Sequence, residues 1–250
     1  HGLGGIGKTE LAFTFAHAYA SVYGGGRFYL RCENQTNLRD AILQLSGNAH
    51  FRPHIDDEER KRPGDHFRAV CRVLADRLKI GPVLLVLDNV TDRDLLAATA
   101  TDDLTHLGRH LHLLATTRLA PSPHVRGLTL GELRPDEALA MLEKFRPFAD
   151  SSEREAAERI VRQLGGFALA LELVAADLAD KPSATYTGYS EGLGLDDLDA
   201  LAEDADVELR RHNHEKRLQA VLGPTLKERT AEERWALEYA AFLPPDLVPL

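Results

Sequence analysis

Eight residues at the start of the chain, Gly2-Leu3-Gly4-Gly5-Ile6-Gly7-Lys8-Thr9, spell G-x-x-x-x-G-K-T and constrain the fold more than any other segment. Glycines at these positions let the backbone wrap closely around linked phosphates, with successive N–H groups aimed at their oxygens. The arrangement works where the loop runs straight into a helix, whose positive N-terminal end faces the same charge. The residues after Lys8 fit: Leu11, Phe15, Ala18 and Val22 share one helical face, and Gly24 marks its end. Gly2, Gly4, Gly5, Ile6, Gly7 and Lys8 are thus candidate contacts to a nucleotide, with Glu10 beside them. Lys8 would reach the β- and γ-phosphates, and the hydroxyl of Thr9 would ligate Mg²⁺. The competing reading, a flexible glycine-rich turn, leaves the helical spacing unexplained.

A loop of this kind follows a buried strand, and the sequence opens at His1 without one. It therefore reads as a fragment that starts at the motif, with an effector expected before it and a sensor after it. The 250 residues, 44% of them hydrophobic, suffice for one large or several small domains. No apolar run approaches the ~20 residues of a membrane span. Cys32 and Cys71 are the two cysteines, too few for a disulfide framework or a four-cysteine zinc site, which suits a cytoplasmic protein. A net charge of −9 argues against direct nucleic-acid binding by this segment.

Apolar strand-like runs alternate with helical stripes through the first half, as in a parallel α/β sheet with helices on both faces. Phe28–Cys32, the continuous run Val83–Asp88, Leu111–Arg118 and Val125–Leu130 are the expected strands. Leu38, Ile42 and Leu45 form one helical stripe, and Phe67, Val70, Leu74 and Leu78 another. Pro53 to Asp65, where charges of both signs mix, reads as a solvated loop. From Leu133 the chain turns helical: one helix starts at Pro135, with Leu139, Leu142 and Phe145 on a face. A second is capped by Ser152-Glu153-Arg154-Glu155, and a third follows the break at Gly165-Gly166. Lys181 to Gly194 reads as a linker, and Thr230-Ala231-Glu232-Glu233 caps a last helix that carries Trp235, Tyr239 and Phe242. The expected domains are 1–131, 132–212 and 213–250.

Asp88 falls at the C-terminal end of a buried strand, where α/β nucleotide-binding sheets place ligand contacts. A carboxylate there can hold Mg²⁺ beside Thr9; the alternative is an aspartate that caps the next helix. Arg118, at the polar end of the next strand, could bond γ-phosphate oxygens and register their presence; the alternative is a surface arginine. His212-Asn213-His214 has the letters of a nuclease motif but no supporting ligands, and reads as solvated surface.

In order, Gly2–Thr9, Leu84–Val90, Leu113–Arg118, Leu133–Leu139 and Leu164–Leu171 resemble the NB-ARC class of STAND NTPases. This class of P-loop NTPases includes plant disease-resistance proteins, apoptotic-protease activating factors and bacterial regulators. The resemblance spans roughly residues 1–180, with a fainter match at 215–250 to a winged-helix domain. It implies a P-loop sheet, a helical domain and the start of a winged helix, closed around ADP and opening to exchange for ATP and form a homo-oligomer. It carries Lys8 and Thr9 to phosphate and Mg²⁺, Asp88 to Mg²⁺ and Arg118 to γ-phosphate sensing. Phe167 and Ala168 would touch the adenine, although Ala168 stands where the family has Pro, and a plain helix break followed by a core helix reads equally well. Asn89 stands where the family often has a second acid; an amide can orient water but is no general base. Lys8, Asp88 and Asn89 are the candidate catalytic residues, and slow hydrolysis serving a switch is the expected activity. A transcriptional regulator in which this module gates an attached DNA-binding domain, and an AAA+-like turnover ATPase, are the alternatives.

Overall fold

The computed structural model describes residues 1–97, 104–120, 124–193, 207–228, 230–233 and 235. They form two compact units, His1–Gly131 and Glu132–Leu250. The first is an α/β unit built on a three-stranded parallel sheet in the order β1 (Gly26–Arg31), β2 (Val83–Val90), β3 (Leu111–Thr117). The unbroken apolar run of β2 follows from burial on both faces. Val83, Leu85 and Leu87 join one core with α2 (Leu38–Leu43) and α4 (Pro63–Ile80), while Leu84 and Val86 join Ala12 and Phe15 of α1 (Lys8–Ala18). Side chains alternate across a strand, so this parity fixes which residues share a face with α1.

The open edge of β1 is closed by a side chain. Gln44 accepts from the Arg31 N–H at 3.2 Å and donates to its carbonyl at 2.8 Å, as a neighbouring strand would. Beyond β3, His1 and Gly2 do similar work with backbone groups. Gly2 donates to the Thr117 carbonyl at 3.2 Å, while the His1 carbonyl accepts from Leu130 at 2.8 Å.

Several expectations for this unit are corrected. The first helix ends at Ala18 rather than at Gly24, and its buried residue is Ala12; Leu11 and Val22 are exposed. Ala12 is small enough to let the helix lie close on Leu84 and Val86, and the larger apolar residues fall to its flanks. Pro53–Asp65 is not a loop: α3 (Asp57–Lys61) sits there, held by a reciprocal capping box between Asp56 and Glu59. Charges that looked like plain solvation pair along this short helix, Lys61 with Glu58 at 2.6 Å. Residues 125–130 form no strand; Val125 and Leu128 are exposed, and the backbone bonds of Leu128 and Leu130 go to His1.

The second unit is helical: α5 (Pro135–Phe145), α6 (Ser151–Leu164), α7 (Ala168–Asp180), α8 (Tyr186–Gly192) and α9 (Val207–Glu228). Ala157, Ile160, Val161 and Leu164 of α6 are buried as their spacing requires. The cap of α6 is Asp150, whose carboxylate accepts from Glu153 N–H at 2.9 Å, two residues before the Ser152 expected. Glu153 in turn accepts from the Ala149 N–H, which draws the start of the helix back. On α5 the buried residues are Ala138 and Leu142, while Phe145 is exposed. The expected linker 181–194 contains α8, started by Thr185 and anchored by Tyr186, which is buried and donates to the Leu142 and Arg146 carbonyls.

Gly165 and Gly166, at φ of 56° and 68°, turn the chain from α6 into α7. His214 is buried rather than solvated. Its ring stacks on Phe167 at 4.0 Å between centroids, and its Nε2 meets Glu132 at 3.1 Å. The capping box at Thr230 and Glu233 forms as read. Tyr239 and Phe242 lie outside the described residues, as do 229, 234 and 236–250 of the expected winged-helix segment.

Candidate nucleotide-binding site

The loop Gly2–Gly7 enters α1 through Gly7, whose φ of 89° and ψ of 18° lie in the left-handed region that glycine adopts freely. No side chain caps this end of α1, so its first N–H groups face outward as an anion site requires. Lys8 folds back over the loop and donates to the carbonyls of Gly2 at 3.0 Å and Leu3 at 2.6 Å. Arg118 comes from the end of β3 and lies against the loop: a Cβ on Gly4 would sit 3.1 Å from its Cζ.

Two cations therefore crowd one loop. Burial, and then Arg118, hold the Lys8 amine below its ordinary pKa, with Asp88 pulling the other way. Anionic phosphate oxygens placed here would relieve the mutual repulsion of Lys8 and Arg118 and offer both better acceptors than carbonyls.

Asp88 is buried at the end of β2 and belongs to the α1 face by parity with Leu84 and Val86. Its Oδ1 accepts from Thr9 Oγ1 at 2.7 Å and Thr116 Oγ1 at 2.6 Å, and its Oδ2 accepts from Tyr29 Oη at 2.9 Å. The motif's hydroxyl and the strand's carboxylate are thus in direct contact. Among the described residues, no three His, Cys, Asp or Glu side chains gather as a metal site. A Mg²⁺ ion here would depend on Thr9, Asp88, water and phosphate oxygens, the donor set this ion takes in phosphate sites. The residues present fit both groups.

Asn89 occupies an irregularity of β2 between Leu87 and Val90, at a left-handed φ of 55°, and its N–H donates to Thr116 Oγ1 at 2.9 Å. Asparagine tolerates that conformation better than most residues. Glu10 lies exposed in the first turn of α1. Phe167 and Ala168 belong to the second unit, where Phe167 is buried and its ring packs on His214.

The first unit therefore brings together Lys8, Thr9, Asp88 and Arg118 around the loop. Tyr29 and Thr116 join them without having been singled out. Thr116 sits in the polar strand end read for Arg118, and Tyr29 has the strand parity that faces α1, which the pairing of β1 with β2 makes visible. Burial, followed by its bond to Asp88, pushes the Tyr29 hydroxyl up to about 12.

No protein-family model matches the chain. It is similar to the regulatory protein AfsR of Streptomyces coelicolor, with 29% identity over 227 residues, 83% of this chain and 21% of that protein. The chain thus spans about a fifth of the length of the curated relative it matches.

Proposed function

We propose that this chain is the nucleotide-binding switch of a STAND-type regulatory protein, holding ADP or ATP with Mg²⁺ and hydrolysing ATP slowly. The observation that carries the reading is the contact of Thr9 with Asp88 at 2.7 Å beneath the uncapped start of α1, with Lys8 and Arg118 over the loop. Phosphates held by the loop would draw the Lys8 amine from the Gly2 and Leu3 carbonyls. Mg²⁺ would neutralise the remaining charge between Thr9 and Asp88. Arg118 would report a γ-phosphate by bonding its oxygens.

Regulation rather than turnover is favoured by two observations. Asp88 has both carboxylate oxygens engaged, and the next residue, Asn89, offers an amide where a general base would serve rapid hydrolysis. The similarity to a protein named as regulatory points the same way, and nucleotide-gated self-assembly in the cytoplasm is part of the proposal.

The test is equilibrium binding of a fluorescent ADP analogue with and without Mg²⁺, on the wild type and on Lys8→Ala. The reading expects Mg²⁺-dependent binding that Lys8→Ala weakens by at least tenfold. Equal binding by the two proteins would mean that the loop is not the phosphate site.

A further inference from the structure

Three hydroxyls converge on one buried carboxylate, and the nucleotide reading above accounts for just one of them. Thr9 closes the phosphate motif in the first turn of α1, and Thr116 also accepts from the Asn89 N–H at 2.9 Å, which ties β3 to the irregular end of β2. Tyr29 has no such second polar duty among its described bonds. It stands on β1, paired at register with Val86, and its neighbours Phe28 and Leu30 are buried in the core on the opposite face. Parity therefore sends the Tyr29 ring to the α1 face. There it lies against Phe13, with ring centroids 5.2 Å apart, and reaches Asp88 Oδ2 at 2.9 Å while remaining 46% exposed.

A hydrophobic anchor would be buried; this residue stays exposed and delivers its oxygen to the buried carboxylate of the site. Both oxygens of Asp88 are then held from different elements, Oδ1 from α1 and β3, Oδ2 from β1. Rotation about Cβ–Cγ swings both oxygens at once, so the Tyr29 bond adds to the two restraints on Oδ1 a third one, on the opposite oxygen and from another strand. Bonds of this outer kind orient ligand groups and typically change metal affinity by about 10- to 100-fold when removed.

We infer that Tyr29 is a positioning residue for the divalent cation: its hydroxyl holds Asp88 Oδ2 so that Oδ1 is presented beside Thr9. This rests on the nucleotide-binding reading, and the experiment separates the two. Tyr29→Phe keeps the ring and removes the oxygen. Phe13→Leu removes the ring contact and leaves the hydroxyl bond, so it reports what packing alone contributes. Binding of a fluorescent ADP analogue is measured in EDTA and across a MgCl₂ titration, with thermal unfolding of each protein as the check on folding.

The expected result is an unchanged affinity in EDTA and a Mg²⁺ half-saturation about tenfold higher in Tyr29→Phe, with Phe13→Leu like the wild type. A half-saturation within twofold of wild type in Tyr29→Phe would overturn the assignment while leaving the nucleotide reading intact. An equal rise in Phe13→Leu would also overturn it, since packing would then be the cause. Nucleotide binding by the wild type that ignores Mg²⁺ would remove both the assignment and the metal site it depends on.

Discussion

Replacing Gly166 by alanine adds one methyl group at a point where backbone geometry leaves no room for it. Gly166 has φ of 68°, a left-handed conformation that costs an ordinary residue about 1–2 kcal/mol. The added Cβ would also lie 2.1 Å from the Leu133 carbonyl oxygen, inside any real contact distance. That carbonyl is backbone and cannot swing aside, so the segment around Leu133 must move. The bond from Leu133 N–H to the Gly166 carbonyl, 2.8 Å long, spans the same contact and is lost or stretched, a further ~1 kcal/mol.

Strain and bond together predict a destabilisation of about 2–3 kcal/mol, against a total that is commonly about 5–15 kcal/mol. For a unit of this size that lowers the melting temperature by about 10 °C. Gly192→Ala is the control, because a Cβ there meets nothing within 4 Å. It sits in the last turn of α8, where alanine is the better helix former, so it should be neutral or slightly stabilising. Circular-dichroism melts and urea titrations of both variants decide the matter. A Gly166→Ala protein within about 0.5 kcal/mol of wild type, the range of an ordinary surface substitution, would refute this turn geometry.

Two further outcomes are expected. Asn89→Asp keeps a residue type that tolerates left-handed backbone and supplies a base beside Asp88, so ATP hydrolysis should rise; an unchanged single-turnover rate would take residue 89 away from the attacking water. Cys32 is buried, and its thiol is pushed up to about 11 by burial and then by Asp88, while Cys71 is also buried. A thiol-reactive disulfide reagent near neutral pH should therefore leave both unmodified in the native protein and label both after denaturation; prompt native labelling would contradict the burial.

The parts of this molecule that could be read from the sequence are those where one physical requirement dominates. The run Val83–Leu87 had to be a strand buried on both faces, and Ala157, Ile160, Val161 and Leu164 had to face a core. The G-x-x-x-x-G-K-T spacing pointed to the loop and the helix after it, and the acid that ends the run Val83–Asp88 pointed to the partner of Thr9. What escaped was decided by partners remote in sequence. Segment 125–130 has the composition of a strand, yet its backbone finds His1 rather than a ladder. His214 looks solvated until Phe167 and Glu132 close on it from other elements. Tyr29 carries no motif, and it becomes visible when the register of β1 against β2 puts it on the face of Asp88.

Whether the chain holds a nucleotide through this loop is decided by denaturing the purified protein and identifying what it releases. The wild type is expected to release close to one adenosine diphosphate per chain, and Lys8→Ala none. A wild-type protein that releases no nucleotide, and takes up neither ADP nor ATP when either is added with Mg²⁺, would contradict nucleotide binding by this chain.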